Sequence, residues 1–128
     1  ERVNSLPDSV FKEPPDRASH QPDADPLNAF ISVTGVSGAD SGVLDGYAVG
    51  LKDNVALAGV PTTCGWRPLE ACVPSVDATV VRRLLDAGAT VDGKLNMDAL
   101  AFGGSGDRDE SRNCSTFARR RRSRRSAQ

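Results

Sequence analysis

The sequence predicts an α/β fold built on a mostly parallel sheet, and three observations predict it. Tyr47–Leu51 (YAVGL) is short, apolar and bounded by Gly46 and an Asp-Asn turn signal, as suits a buried strand. Ser75–Gly88 carries Val80, Val81, Leu84 and Leu85 at helical spacing, leaving Arg82, Arg83 and Asp86 for water. Ala89–Lys94 (ATVDGK) then reads as a second short strand. A right-handed crossover through the helix makes the two strands parallel, which gives a β–loop–α–β unit.

Each element has a local cause. Residues 1–26 are polar and proline-rich, and Pro14-Pro15 forbids a long helix there. An extended arm or disordered lead-in is expected, with Val10 and Phe11 packing on the body. Leu27–Val36 holds Phe30, Ile31 and Val33, an apolar patch expected to pack against the sheet. Ser37–Gly46 (SGADSGVLDG) is a turn leading to the first strand, and Asp53-Asn54 form the turn that leaves it. Val55–Pro68 is a loop punctuated by Gly59, Pro61 and Gly65. Ser75 or Asp77 can cap the helix, and Gly88 supplies the left-handed residue that ends it.

Composition narrows the function classes. A chain of 128 residues is at most one ordinary domain, and 38% apolar with 5% aromatic residues leaves part of it outside a core. No apolar run has the length of a membrane span or a signal segment, so a soluble, cytoplasmic protein without a membrane partner is expected. Cys64, Cys72 and Cys114 are odd in number and irregularly spaced, which fits free thiols better than a disulfide framework or a zinc site. His20 is the single histidine and has no second ligand beside it, so neither a metal, a cofactor nor a Ser–His–Asp triad is expected. Gly88–Lys94 matches the glycine-to-lysine spacing of a phosphate-binding loop, but Leu95 stands where magnesium needs a hydroxyl, and the first glycine ends a helix.

Lys52 is the residue around which a function can be argued. It closes the first strand, and the ends of strands in open α/β sheets are where ligands and chemistry collect. A lysine desolvated there would have a lowered pKa and could serve as a general base; the other reading is a head group that snorkels to water. Lys94, at the end of the second strand, reads as a strand-end or surface lysine.

The stretch from about Leu27 to Gly106 resembles the N-terminal part of the amidase signature family. The resemblance rests on PLNAF from Pro26, GYAVGLKDNVALAGVPTTCG from Gly46, and DATVVRRLLDAGATVDGKLNMDALAFGGSG from Asp77. It implies a mixed, mostly parallel sheet flanked by helices, present here only in part as residues 27–106. It also implies an amide hydrolase, or a glutamyl-tRNA amidotransferase component, with a Ser–Ser–Lys triad. By correspondence with the family's KDN motif, Lys52 is the triad lysine, a small-molecule amide is the substrate, and the segment around Lys94 shapes the site wall. One departure is Trp66, which follows TTCG where relatives usually carry a small serine; its ring either narrows the site or covers the core.

Residues 107–128 do not continue the resemblance. They carry a net charge of +5 against −6 for residues 1–106, with six arginines among the last ten residues. Out-of-frame reading of GC-rich sequence, a basic tail that binds nucleic acid, and a solvated tail are the three readings. The Gly/Ser-rich segment that bears the family's two serines is not recognised, and Ser105 and Ser111 lie in the wrong segment. A truncated amidase, inactive on its own and prone to self-association through exposed sheet edges, is therefore expected.

Overall fold

A computed structural model describes residue 13 and residues 15–103. Val10, Phe11, Ser105, Ser111, Cys114 and the arginine-rich segment 107–128 lie outside them. Among the described residues, four strands and one α-helix follow in the order β1 (Ser19–His20), β2 (Phe30–Ser37), β3 (Ala48–Lys52), α1 (Thr79–Asp86) and β4 (Thr90–Leu95), with 3-10 turns at Arg67–Leu69 and Ala99–Ala101. The sheet order is β1-β2-β4-β3. The β3–β4 pair is parallel, as the crossover requires, while β1–β2 and β2–β4 are antiparallel. Within the described residues the sheet is thus mixed, and its parallel part is the β3–α1–β4 unit. No helix among them is long and apolar enough to cross a membrane.

Two segments differ from the sequence expectation. The apolar patch before the turn is not packed against the sheet but is strand β2 within it. Register shifts between Phe30 and Ser32 and between Val33 and Val36 break its alternation, so FISVTGVS shows no clean period of two. The polar lead-in also joins the sheet: Ser19 and His20 pair with Thr34 and Val33, and the Thr34 hydroxyl donates to the Ala18 carbonyl at 2.7 Å. A two-residue strand carries no periodicity for a sequence to display.

The helix begins later than the capping residues suggested. Ala78 stands at its N-terminus, and no side chain caps it. Asp77 is engaged elsewhere: its carboxylate accepts from the Ala58 amide at 2.8 Å and from both terminal nitrogens of Arg17 at 2.6 and 3.2 Å. At the other end Gly88 has φ +91°, and the amides of Gly88 and Ala89 donate to the carbonyls of Leu85 and Leu84 at 3.0 Å each. Val81 is the helix residue driven into the core, where it joins Leu51, Leu57, Val60 and Val91. Its neighbour Val80 is 53% exposed, because adjacent helical positions cannot share a face.

The Arg17–Asp77 pair ties the lead-in to the helix entrance. Burial pushes the Asp77 carboxyl up, but the Arg17 and Ala58 hydrogen bonds and the charges of Arg17 and Arg82 outweigh it and hold it below its ordinary 3.8. A carboxyl depressed in the folded state contributes stability above its unfolded pKa and loses it as pH falls through the folded value. Asp77→Asn is therefore expected to cost about 1 kcal/mol near neutrality and to flatten the acid limb of the stability curve. Thermal melts across about pH 2 to 7 measure both effects.

Candidate functional site

The carboxyl ends of parallel strands β3 and β4 lie side by side, with Leu51 opposite Lys94 and Lys52 opposite Leu95. Alternation along β3 decides what each residue faces. Leu51 is 5% exposed and Asp53 0%, whereas Lys52 between them is exposed. The desolvated lysine envisaged at position 52 is thus not found there; the strand turns that side chain outward. Among the described residues, no hydrogen bond or ion pair engages the Lys52 side chain.

The buried lysine is Lys94, at 0% exposure, and not a surface residue. Its Nζ stands 3.1 Å from Asp53 Oδ1 and donates to the Asp53 carbonyl at 3.3 Å and to Thr62 Oγ1 at 3.1 Å. Burial pushes the Lys94 ammonium down from its ordinary 10.5, while the Asp53 carboxylate and Cys64 oppose the shift. Asp53 Oδ1 makes no aligned hydrogen bond, so the Lys94 charge compensates it. Oδ2 accepts from the Thr63 amide at 2.9 Å, the Thr63 hydroxyl at 2.6 Å and, more weakly, the Gly65 amide at 3.5 Å.

Asp53 is therefore more than the turn former read from the sequence. A turn does follow β3, closed by Val55 N donating to the Lys52 carbonyl at 2.8 Å, but the Asp53 side chain points inward. Sequence reasoning missed the pair because Asp53 and Lys94 are 41 residues apart. The usable signal was two ionisable residues on the inner faces of neighbouring strands, where only a partnered charge is tolerated.

The loop after the strand borders this cluster. Cys64 adopts φ +54°, unusual for a residue with a side chain, and its carbonyl accepts from Leu100 N at 2.8 Å. Gly65 follows at φ +65°, where a Cβ would press on the Met97 carbonyl. Trp66 is half-buried. His20 is exposed on β1 and lines a pocket with Ile31, Thr63 and Glu70. Among the described residues no group of three or more His, Cys, Asp or Glu could hold a metal.

Cys64 and Cys72 are free, the first half-buried and the second exposed. Burial, then the Asp53 carboxylate, push the Cys64 thiol up from 9.0, with Lys94 pulling the other way and Cys72 adding a small rise. Alkylation by iodoacetamide at about pH 8 is expected to mark exposed Cys72 faster than Cys64, because Cys64 is half-buried and its raised pKa leaves less of the reactive thiolate. Peptide mass spectrometry over time measures the two rates.

An exposed amine at a strand end, backed by a buried ion pair, can act as a base toward a group arriving from outside; Lys94 cannot reach one. Comparison with known proteins narrows the chemistry. Residues 27–111 match the amidase family model. An enantioselective amidase of Rhodococcus rhodochrous is 50% identical over 95 residues, covering 73% of this chain and 18% of that protein. The A subunit of the glutamyl-tRNA(Gln) amidotransferase of Halobacterium salinarum is 52% identical over 77 residues, covering 60% of this chain and 18% of that one. The crystal structure of the corresponding glutamyl-tRNA(Gln) amidotransferase protein from Thermotoga maritima superposes with a TM-score of 0.61 at 42% identity, over 66% of this chain and 19% of that chain. The chain thus spans 18% of the length of the first two proteins and 19% of the third. By its sequence and by the fold that presents Lys52, the chain belongs to the amidase family.

Proposed function

We propose that residues 27–103 form the lysine-bearing part of an amide-hydrolysing centre, with Lys52 as its base. The exposure of Lys52 at the carboxyl end of β3, beside the end of parallel β4, is the observation that carries this reading. In its neutral form the amine accepts a proton relayed through a bridging serine from a nucleophilic serine. That nucleophile attacks the carboxamide carbonyl and expels ammonia or an amine, and water then releases the acyl group as a carboxylate. Both serines belong to a Gly/Ser-rich segment of the family that residues 27–106 do not contain. The 128-residue chain by itself is therefore expected to give no amide turnover.

A stand-alone amidase acting on a small-molecule amide is the reading put to the test first, with a glutamyl-tRNA amidotransferase component as the second reading, since relatives of both classes match nearly equally. The Rhodococcus match extends over 95 residues at 50% identity, against 77 at 52% for the Halobacterium protein. The deciding experiment replaces the matching segment of the Rhodococcus amidase with residues 27–103 and assays simple carboxamides. Hydrolysis by the chimera is the expected result. A folded but inactive chimera would argue that this segment no longer serves the reaction.

A further inference from the structure

The buried Asp53–Lys94 pair needs a reason beyond stability. Two charges taken out of water are costly, and apolar residues of similar volume commonly serve a core as well or better. What such residues cannot supply is direction. Here the direction is specific: the Lys94 ammonium meets both the carboxylate and the carbonyl of Asp53, the residue bonded to Lys52.

The strands at this point need a register signal. The β3–β4 ladder shifts between Val49 and Gly50, leaving Asp92 as an extra residue on β4, and the next facing pair is Gly50 with Gly93. Neither glycine has a side chain to choose between alignments, and register is weakly specified in such stretches. A slip of one residue would exchange the environments of Lys52 and Asp53, burying the first and exposing the second. Beyond the glycines, Leu51 opposite Lys94 and Lys52 opposite Leu95 are the pairs that remain to fix it.

We propose that the Asp53–Lys94 pair is a register lock for β3 on β4, placed after the bulge and the glycine pair, which makes Lys52 the outward-facing lysine. Lys94 and Asp53 are thus positioning residues, and this role rests on Lys52 being the functional base. Thr63 completes the lock by holding the second carboxylate oxygen through its amide and hydroxyl.

The test uses the full chain, whose three lysines are Lys12, Lys52 and Lys94. Asp53→Asn with Lys94→Met removes both charges and leaves the volumes nearly unchanged. Cross-strand backbone contacts by NMR report the register, and acylation by an amine-reactive ester, mapped by peptide mass spectrometry, reports the exposure of Lys52. The expected result is loss or splitting of the Lys52–Leu95 contact, with Lys52 acylation slowed by about threefold or more. A folded double variant with the original contacts and the original acylation rate would overturn the proposal, since a merely space-filling pair predicts that outcome.

If the double variant does not fold, Thr63→Val decides, because it keeps both charges and removes the hydroxyl that donates to Asp53 Oδ2 at 2.6 Å and accepts from Gly65 N at 3.1 Å. The amide of Asp53, which donates across the ladder to the Leu95 carbonyl at 3.2 Å, and that of Thr63 are then expected to exchange about tenfold faster, with that of Val91 on β4 unchanged. Unchanged exchange at all of these sites would overturn the lock. Hydrolysis enters neither readout, so failure of the lock and failure of the amidase reading are told apart.

Discussion

Lys94→Met alone is expected to cost about 3–5 kcal/mol, a large share of the stability of a domain this small. The variant leaves the Asp53 carboxylate at 0% exposure with the Thr63 and Gly65 donors but no opposing charge. Asp53→Asn alone is expected to be comparably harmful, because it strands a buried ammonium. Combining the two should recover most of the loss, since neither charge is then left uncompensated. Urea titrations of the two single variants and the double give the coupling directly. Additive losses in that cycle would mean that the 3.1 Å ion pair is energetically idle.

The alkaline limb of the same titrations carries a second signature of Lys94. A lysine whose folded pKa is depressed binds its proton more readily in the unfolded chain between the folded value and 10.5. Stability therefore rises with pH through that window. Cys64 opposes it, because a thiol raised in the folded state makes stability fall above 9.0. The rise attributable to Lys94 is accordingly expected to be clearer in Cys64→Ser and to vanish in Lys94→Met.

What the sequence showed and what it hid divide along a physical line. The β3–α1–β4 unit was legible because its signals are local: an apolar run closed by Asp53-Asn54, a helical spacing through Val81 and Leu85, and Gly88 at the C-terminus. Boundaries moved where a residue had a better distant partner. Asp77 left its expected capping role because Arg17 and the Ala58 amide claim its carboxylate. Strand β2 was hidden by its two register shifts, and β1 by its length of two residues.

Lys52 was singled out in the sequence by its place at the end of a strand and by the KDN motif, and the structure places it at the end of β3. Its exposure agrees with the second of the two readings the sequence left open, a head group reaching water; the sequence could not decide between them, because a strand residue's facing depends on register and two facing glycines leave register undetermined. Lys94 was placed correctly at a strand end, but its burial followed from a partner 41 residues away. Single-sequence patterning does not couple such positions.

The largest functional effect is expected at Lys52. In the chimera with the Rhodococcus amidase, Lys52→Ala removes the proposed acceptor of the nucleophile's proton, and members of a catalytic triad act as a unit. Loss of one costs about 10³-fold or more in kcat, with a smaller change in KM, because the amine acts on the transition state more than on ground-state binding. The folded state should be unaffected, since Lys52 is exposed and no hydrogen bond or ion pair engages its side chain among the described residues.

The most direct measurement is kcat for a simple carboxamide in the chimera, with Lys52 and with Lys52→Ala, both verified as folded by their melting curves. A fall of about 10³-fold or more at unchanged stability is what a triad lysine requires. A Lys52→Ala chimera that still hydrolyses amides within about tenfold of its parent would contradict the assignment of Lys52 as the base.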